Sequence, residues 1–90
     1  MVKGKTRTGF KFTCDGRLMH NVEFLEEFAA VQKGDGLEVF DLIRRILGED
    51  QKKALYNHIR DEEGIVPLEA MKEELSDIFD ALAEAEETKN

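Results

Sequence analysis

Leu47 to Met71 reads LGEDQKKALYNHIRDEEGIVPLEAM, and its punctuation decides the fold class. Gly48 supplies a left-handed stop for a helix ending at Leu47. Asp50 is placed to cap a shorter helix carrying Ala54, Leu55, His58 and Ile59. Gly64 closes an acidic turn. Pro67 then stands at the first position of another helix, where its missing N–H leaves nothing unpaired. The stretch is two helices joined by a sharp turn, and it contains no recognisable catalytic motif.

Downstream, the last helix extends from about Pro67 to Ala85 and frays into Glu87–Asn90. At about 100° per residue, Leu68, Met71, Leu75, Ile78, Phe79 and Leu82 fall within a stripe about 100° wide, an ordinary core face. Glu73, Glu74, Asp77, Asp80 and Glu84 lie on the other side as a solvated face. Upstream, Asp35 and Glu38 have capping-box spacing and open a helix running to Leu47. Val39, Phe40, Leu42, Ile43, Ile46 and Leu47 spread over about 160° of that helix, and Leu37 widens the arc. Either this helix is central and covered from two sides, or part of its surface, Val39, Leu42 and Ile46, meets another chain. Asn21 caps an earlier helix with Val22, Leu25, Phe28, Ala29 and Phe24 as its apolar positions, and Lys33–Gly36 ends it.

Before Asn21 the period changes. Phe10, Phe12 and Cys14 alternate with Lys11 and Thr13, which is strand spacing. Asp15-Gly16 suits a type I′ turn, placing Cys14 opposite Arg17 and Phe12 opposite Met19. A lone hairpin is marginal in water, so its Phe10 and Phe12 face packs on helices or pairs with another chain. The expected fold is mainly α: an N-terminal β-hairpin followed by a small bundle of about four helices. Residues 1–8 are read as a flexible basic N-terminus, 9–86 as one helical domain with its hairpin, and 87–90 as a frayed end.

Ninety residues with 41% apolar content and six Phe support one small core. A chain of this size buries only roughly 60–65% of its unfolded surface, so self-association or a partner is a natural supplement. No apolar run approaches the ~18 residues of a membrane span, and the opening residues lack the charged-then-apolar pattern of a signal peptide. The one cysteine, Cys14, has no internal partner for a disulfide, so a cytoplasmic location is expected. Residues 1–20 hold five Lys/Arg against one Asp, while the remaining 70 hold eight against nineteen acidic residues, for a total of −7. Nucleic-acid binding would need a basic stripe, and only the short KGKTRTGFK offers one. The body is acidic and protein-facing, with neither nucleic acid nor membrane expected as a partner.

No enzymatic or metal site emerges. His20 and His58 lack a His or Cys companion at i+3 or i+4, and Cys14 reads as a packed thiol. An EF-hand frame with Gly64 at its sixth position would put Ile59 and Ala70 at ligand positions, and neither can bind a cation. The KGDG of residues 33–36 lacks the Walker spacing. The expectation is no enzyme and no cofactor. The candidate partner-binding residues are Val39, Leu42, Ile46, Phe10 and Phe12.

Leu47, Gly48, Gln51, Lys52, Leu55, Tyr56, Ile59, Arg60, Gly64, Val66 and Pro67 together resemble the tail assembly chaperones of long-tailed phages and prophages of Gram-positive bacteria. The likeness extends to the aromatic strand and the Asn21 helix, and so covers most of the chain. Its elements are helix caps and core positions. The resemblance implies assembly rather than catalysis: a protein that binds the helical tape measure protein, shields its apolar surface and helps recruit tail tube protein subunits. Many such genes also yield a longer product by ribosomal frameshifting, and Thr88-Lys89-Asn90 is compatible with a slippery heptamer. A competing reading, motivated by the carboxylates of residues 61–87, is a small acidic inhibitor or anti-repressor that occupies a basic groove of a nucleic-acid-binding protein. A helix-turn-helix through Asp50–Arg60 offers DNA only Lys52, Lys53 and Arg60.

Overall fold

A computed structural model describes residues 1–33 and 39–88, without the side chains of Gln32 and residues 86–88. Its elements are β1 (Val2–Lys5), β2 (Lys11–Cys14), a 3-10 turn (Gly16–His20), α1 (Val22–Lys33), α2 (Val39–Ile59) and α3 (Leu68–Thr88). The protein is thus mainly helical with an N-terminal antiparallel hairpin. The expected Asp35/Glu38 capping box, Leu37 and the KGDG turn lie outside the described residues.

The hairpin is not the expected one. β2 is the aromatic strand, but it pairs backwards with β1, in the register Val2↔Cys14, Lys3↔Thr13, Gly4↔Phe12 and Lys5↔Lys11. Val2–Lys5 is therefore a strand where a frayed tail was expected. Asp15 sits at φ −84°, not in the positive-φ region a type I′ turn demands, and its carboxylate accepts from the Arg17 N–H to start the 3-10 turn. Gly4 has a packing role. The Phe12 ring lies across it so closely that a Cβ there would stand 2.6 Å from Phe12 Cζ. Such cover on a glycine is a known way of holding a weak strand pair.

α1 starts as expected, with Asn21 Oδ1 accepting from the Phe24 N–H at 3.3 Å. Its inward side is Phe24, Phe28 and Val31, spaced i, i+4, i+7, and Phe28 meets Phe79 edge-on at 4.4 Å. Val22 and Leu25, expected inside, point to solvent.

α2 carries the two halves expected as separate helices, broken at Gly48 with φ 78° and ψ 167°. The positive φ was foreseen, but the extended ψ is not that of a left-handed cap, and helix resumes at once. The side-chain bonds at this break come from Gln51 rather than Asp50: its Nε2 donates to the Leu47 carbonyl at 2.8 Å. The same amide reaches β2, donating to Thr13 O and accepting from Thr13 N–H. The turn before α3 is as read. Asp61 accepts from the Glu63 and Ile65 N–H groups, and the Met71 N–H bonds the Pro67 carbonyl.

Phe12 and Cys14 from β2, Phe24, the α2 residues Leu42, Ile43 and Leu55, and the α3 residues Met71, Leu75, Ile78 and Leu82 form one core. β1 lies against α3 and β2 against α2, so the hairpin closes one side of the helical layer.

Candidate interaction surfaces

The five residues expected to meet a partner are all inside. Phe10, the most open of them, is 7% exposed, and Phe12, Val39, Leu42 and Ile46 are more deeply buried. The wide apolar arc of α2 has the simpler of its two explanations: the helix is central, with α1, α3 and the hairpin around it. As folded, these side chains present no surface, so they are corrected from partner face to core.

The apolar groups that do reach solvent lie elsewhere. Phe40, Ile65 and Leu68 are 41%, 58% and 46% exposed. Phe40 and Leu68 join Tyr56, Val66 and Met71 to line an open groove where the two halves of α2 meet the start of α3. Gly48 is the reason Phe40 and Tyr56 can face one groove, since it redirects the chain between them. Leu68 had been expected in the core stripe. It occupies the first turn of α3, beyond the reach of the layer beneath it. Lys52 lies 5.8 Å from the Tyr56 ring centre, giving the rim a cation. A second exposed apolar pair, Val22 and Leu25, runs along α1.

The polar surprise is Glu74. Expected on the solvated face of α3, it is 2% exposed. Thr6 Oγ1 donates to its Oε1 and Thr8 Oγ1 to its Oε2, both at 2.8 Å. The Thr8 proton is spent on Glu74, so the 2.9 Å contact of Thr8 Oγ1 with His58 Nε2 assigns the ring proton to Nε2. His58 also stacks obliquely on Phe10, centroids 5.5 Å apart. One turn further along α3, Asp77 accepts from both the backbone N–H and Nε of Arg7. This pair holds the Asp77 carboxyl below its ordinary range. The loop between the strands is thereby stitched to α3. Glu74 was missed because at about 100° per residue it lies only about 40° beyond Ile78, at the margin of the core stripe, and the hairpin covers that margin.

The outer face of the hairpin carries exposed Lys3, Lys5, Lys11 and Thr13. Lys5 and Lys11 are directly opposed across the ladder. Cys14 is buried and unpaired, and burial pushes its thiol up in pKa, the state of a packed rather than a nucleophilic cysteine. Among the described residues no cluster of three His, Cys, Asp or Glu could hold a metal ion, and no helix is long and apolar enough to cross a membrane. The chain matches no family model, no curated protein and no solved structure.

Proposed function

We propose that this protein is a phage tail assembly chaperone that binds and solubilises the tape measure protein during tail morphogenesis. The observation that carries the proposal is the groove of Phe40, Tyr56, Val66, Leu68 and Met71, apolar and open on a chain of net charge −7. A holdase needs accessible apolar surface to meet an apolar helix, and net charge to keep the complex soluble. The groove offers the first without exposing the core, and the acidic body offers the second. An amphipathic helix laying its apolar side on Phe40 and Leu68 would remove both from water, worth about 1–2 kcal/mol each. Val22 and Leu25 on α1 are a separate site for self-association or for tail tube protein. The resemblance carried by the Leu47–Pro67 run supports the same reading.

The test is co-expression with the tape measure protein encoded in the same tail module, followed by size-exclusion chromatography with light scattering. A soluble complex, with the tape measure protein insoluble alone, is the expected result. Failure to form one rejects the proposal.

The inhibitor reading retains the exposed carboxylates Glu62, Glu63, Glu69, Glu73 and Asp80. Glu74 and Asp77, however, are engaged within the chain. Gln substitutions at Glu69, Glu73 and Asp80 separate the two readings: they abolish occupation of a basic groove and leave apolar holding intact.

A further inference from the structure

The outer edge of β2 is engaged at Thr13, whereas that of β1 is open. Thr13 N–H and C=O are both bonded by Gln51 on the outside of β2. In an antiparallel ladder a residue's N–H and C=O point the same way, so Lys3↔Thr13 is a non-hydrogen-bonded pair and Lys3 directs its own N–H and C=O away from β2. Lys5, two residues on, does the same. The Thr6 N–H bond to Phe10 O confirms that the even-numbered residues of this stretch are the inward ones. Lys3 and Lys5 are both exposed, and neither backbone has a partner on its outer side among the described residues.

The side chains above this edge are all cationic. Lys3, Lys5 and Lys11 share the outer face, and none has an ion-pair partner among the described residues. Like charges directly opposed in a ladder destabilise it, so an outside anion would relieve the Lys5↔Lys11 repulsion. The shallow groove among Lys3, Lys5, Lys11 and Thr13, floored by Gly4 and Phe12, contains no carboxylate.

We infer that β1 accepts an extended acidic peptide segment as a third strand, with carboxylates at alternate positions facing Lys3 and Lys5, and Lys11 behind them on β2. The open N–H and C=O groups of Lys3 and Lys5 continue the ladder, and the ammonium row selects the side chains. Two copies of this chain cannot pair there without bringing their lysine rows together. A nucleic-acid strand has no alternating amide edge to extend the ladder. Gln51 occupies the Thr13 position of the other edge and leaves only Lys11 outward there, so one peptide per chain is expected. This site is separate from the apolar groove and does not depend on it.

Fluorescence anisotropy with the full chain at low salt tests the inference, using labelled Glu-Thr-Glu-Val-Glu-Thr as probe. We expect saturable binding of one peptide per chain, weakened at least about tenfold by the combined K3Q/K5Q/K11Q change. N-methylation of the peptide amides that face β1 should weaken it as much, and that comparison leaves the protein untouched. The inference is overturned if the alternating peptide does not bind. It is equally overturned if the N-methylated peptide, a peptide of the same composition with its glutamates in one block, or oligothymidylate binds as tightly.

Discussion

Two contacts of α3, less than two turns apart, invert what hydropathy leads one to expect. At Glu74 a carboxylate is buried, with Thr6 and Thr8 donating to both of its oxygens. At Leu68 an aliphatic side chain stands in water beside Phe40. The polar contact is closed because its bonds are complete. Burial of a carboxylate is tolerated when charge and lone pairs are met, and removing a partner is then costly. The apolar contact is open because nothing within the described residues covers it. A closed polar site is structural, whereas an open apolar one is available to another molecule.

The comparison is most strongly challenged at Glu74. Glu74→Ala leaves the Thr6 and Thr8 hydroxyls without their acceptor and opens a void beneath the loop. Roughly 2–4 kcal/mol of stability should be lost by urea unfolding. A loss under about 0.5 kcal/mol would mean that the clamp is incidental. Next comes Gly48, whose φ of 78° with ψ of 167° is a region only glycine occupies readily. Gly48→Ala should cost about 1–3 kcal/mol and also weaken holding by the groove, because the break at Gly48 sets Phe40 against Tyr56. Thermal melts and co-purification of the same variant measure both.

The smallest effect is electrostatic. Arg17 and its backbone N–H lower the Asp15 carboxyl to a pKa of about 2, from the ordinary aspartate value of 3.8. A depressed folded-state value stabilises the fold above the unfolded pKa, and that contribution is lost as pH falls from 3.8 toward about 2. NMR titration of the Asp15 carboxyl should give the low value in the wild type and a value raised only part of the way toward the ordinary one in Arg17→Gln, which keeps the backbone N–H bond.

What the sequence made legible follows the same division. Helix caps and breakers act locally, so Asn21, Gly48, Gly64 and Pro67 marked their boundaries correctly. The α3 core stripe was readable for Met71, Leu75, Ile78 and Leu82, where burial repeats with the helical period. The α1 face was misread because Val22 and Leu25 are as apolar as Phe24, and periodicity alone does not say which arc turns inward. The hairpin was displaced because Asp15-Gly16 is a local signal, whereas the loop that follows β1 is held by long-range bonds. Those bonds join Thr6 and Thr8 to Glu74, 68 and 66 residues away in the chain. The candidate partner residues failed for a related reason. A wide apolar arc fits both a central helix and an exposed one, and the sequence does not count the neighbours around Val39, Leu42 and Ile46.

The most direct test perturbs the open apolar contact and leaves the closed polar one intact. Phe40→Ser with Leu68→Ser, and Arg7→Gln as an exposed polar control, are each co-expressed with the tape measure protein. Melting temperature and recovered complex are read from the same preparations. The account predicts that the double groove variant melts within a few degrees of the wild type, since its side chains are already exposed, yet loses the soluble complex. Arg7→Gln should keep both. Full recovery of the complex with the double variant at an unchanged melting temperature would show that the open end of α3 is not where the partner binds.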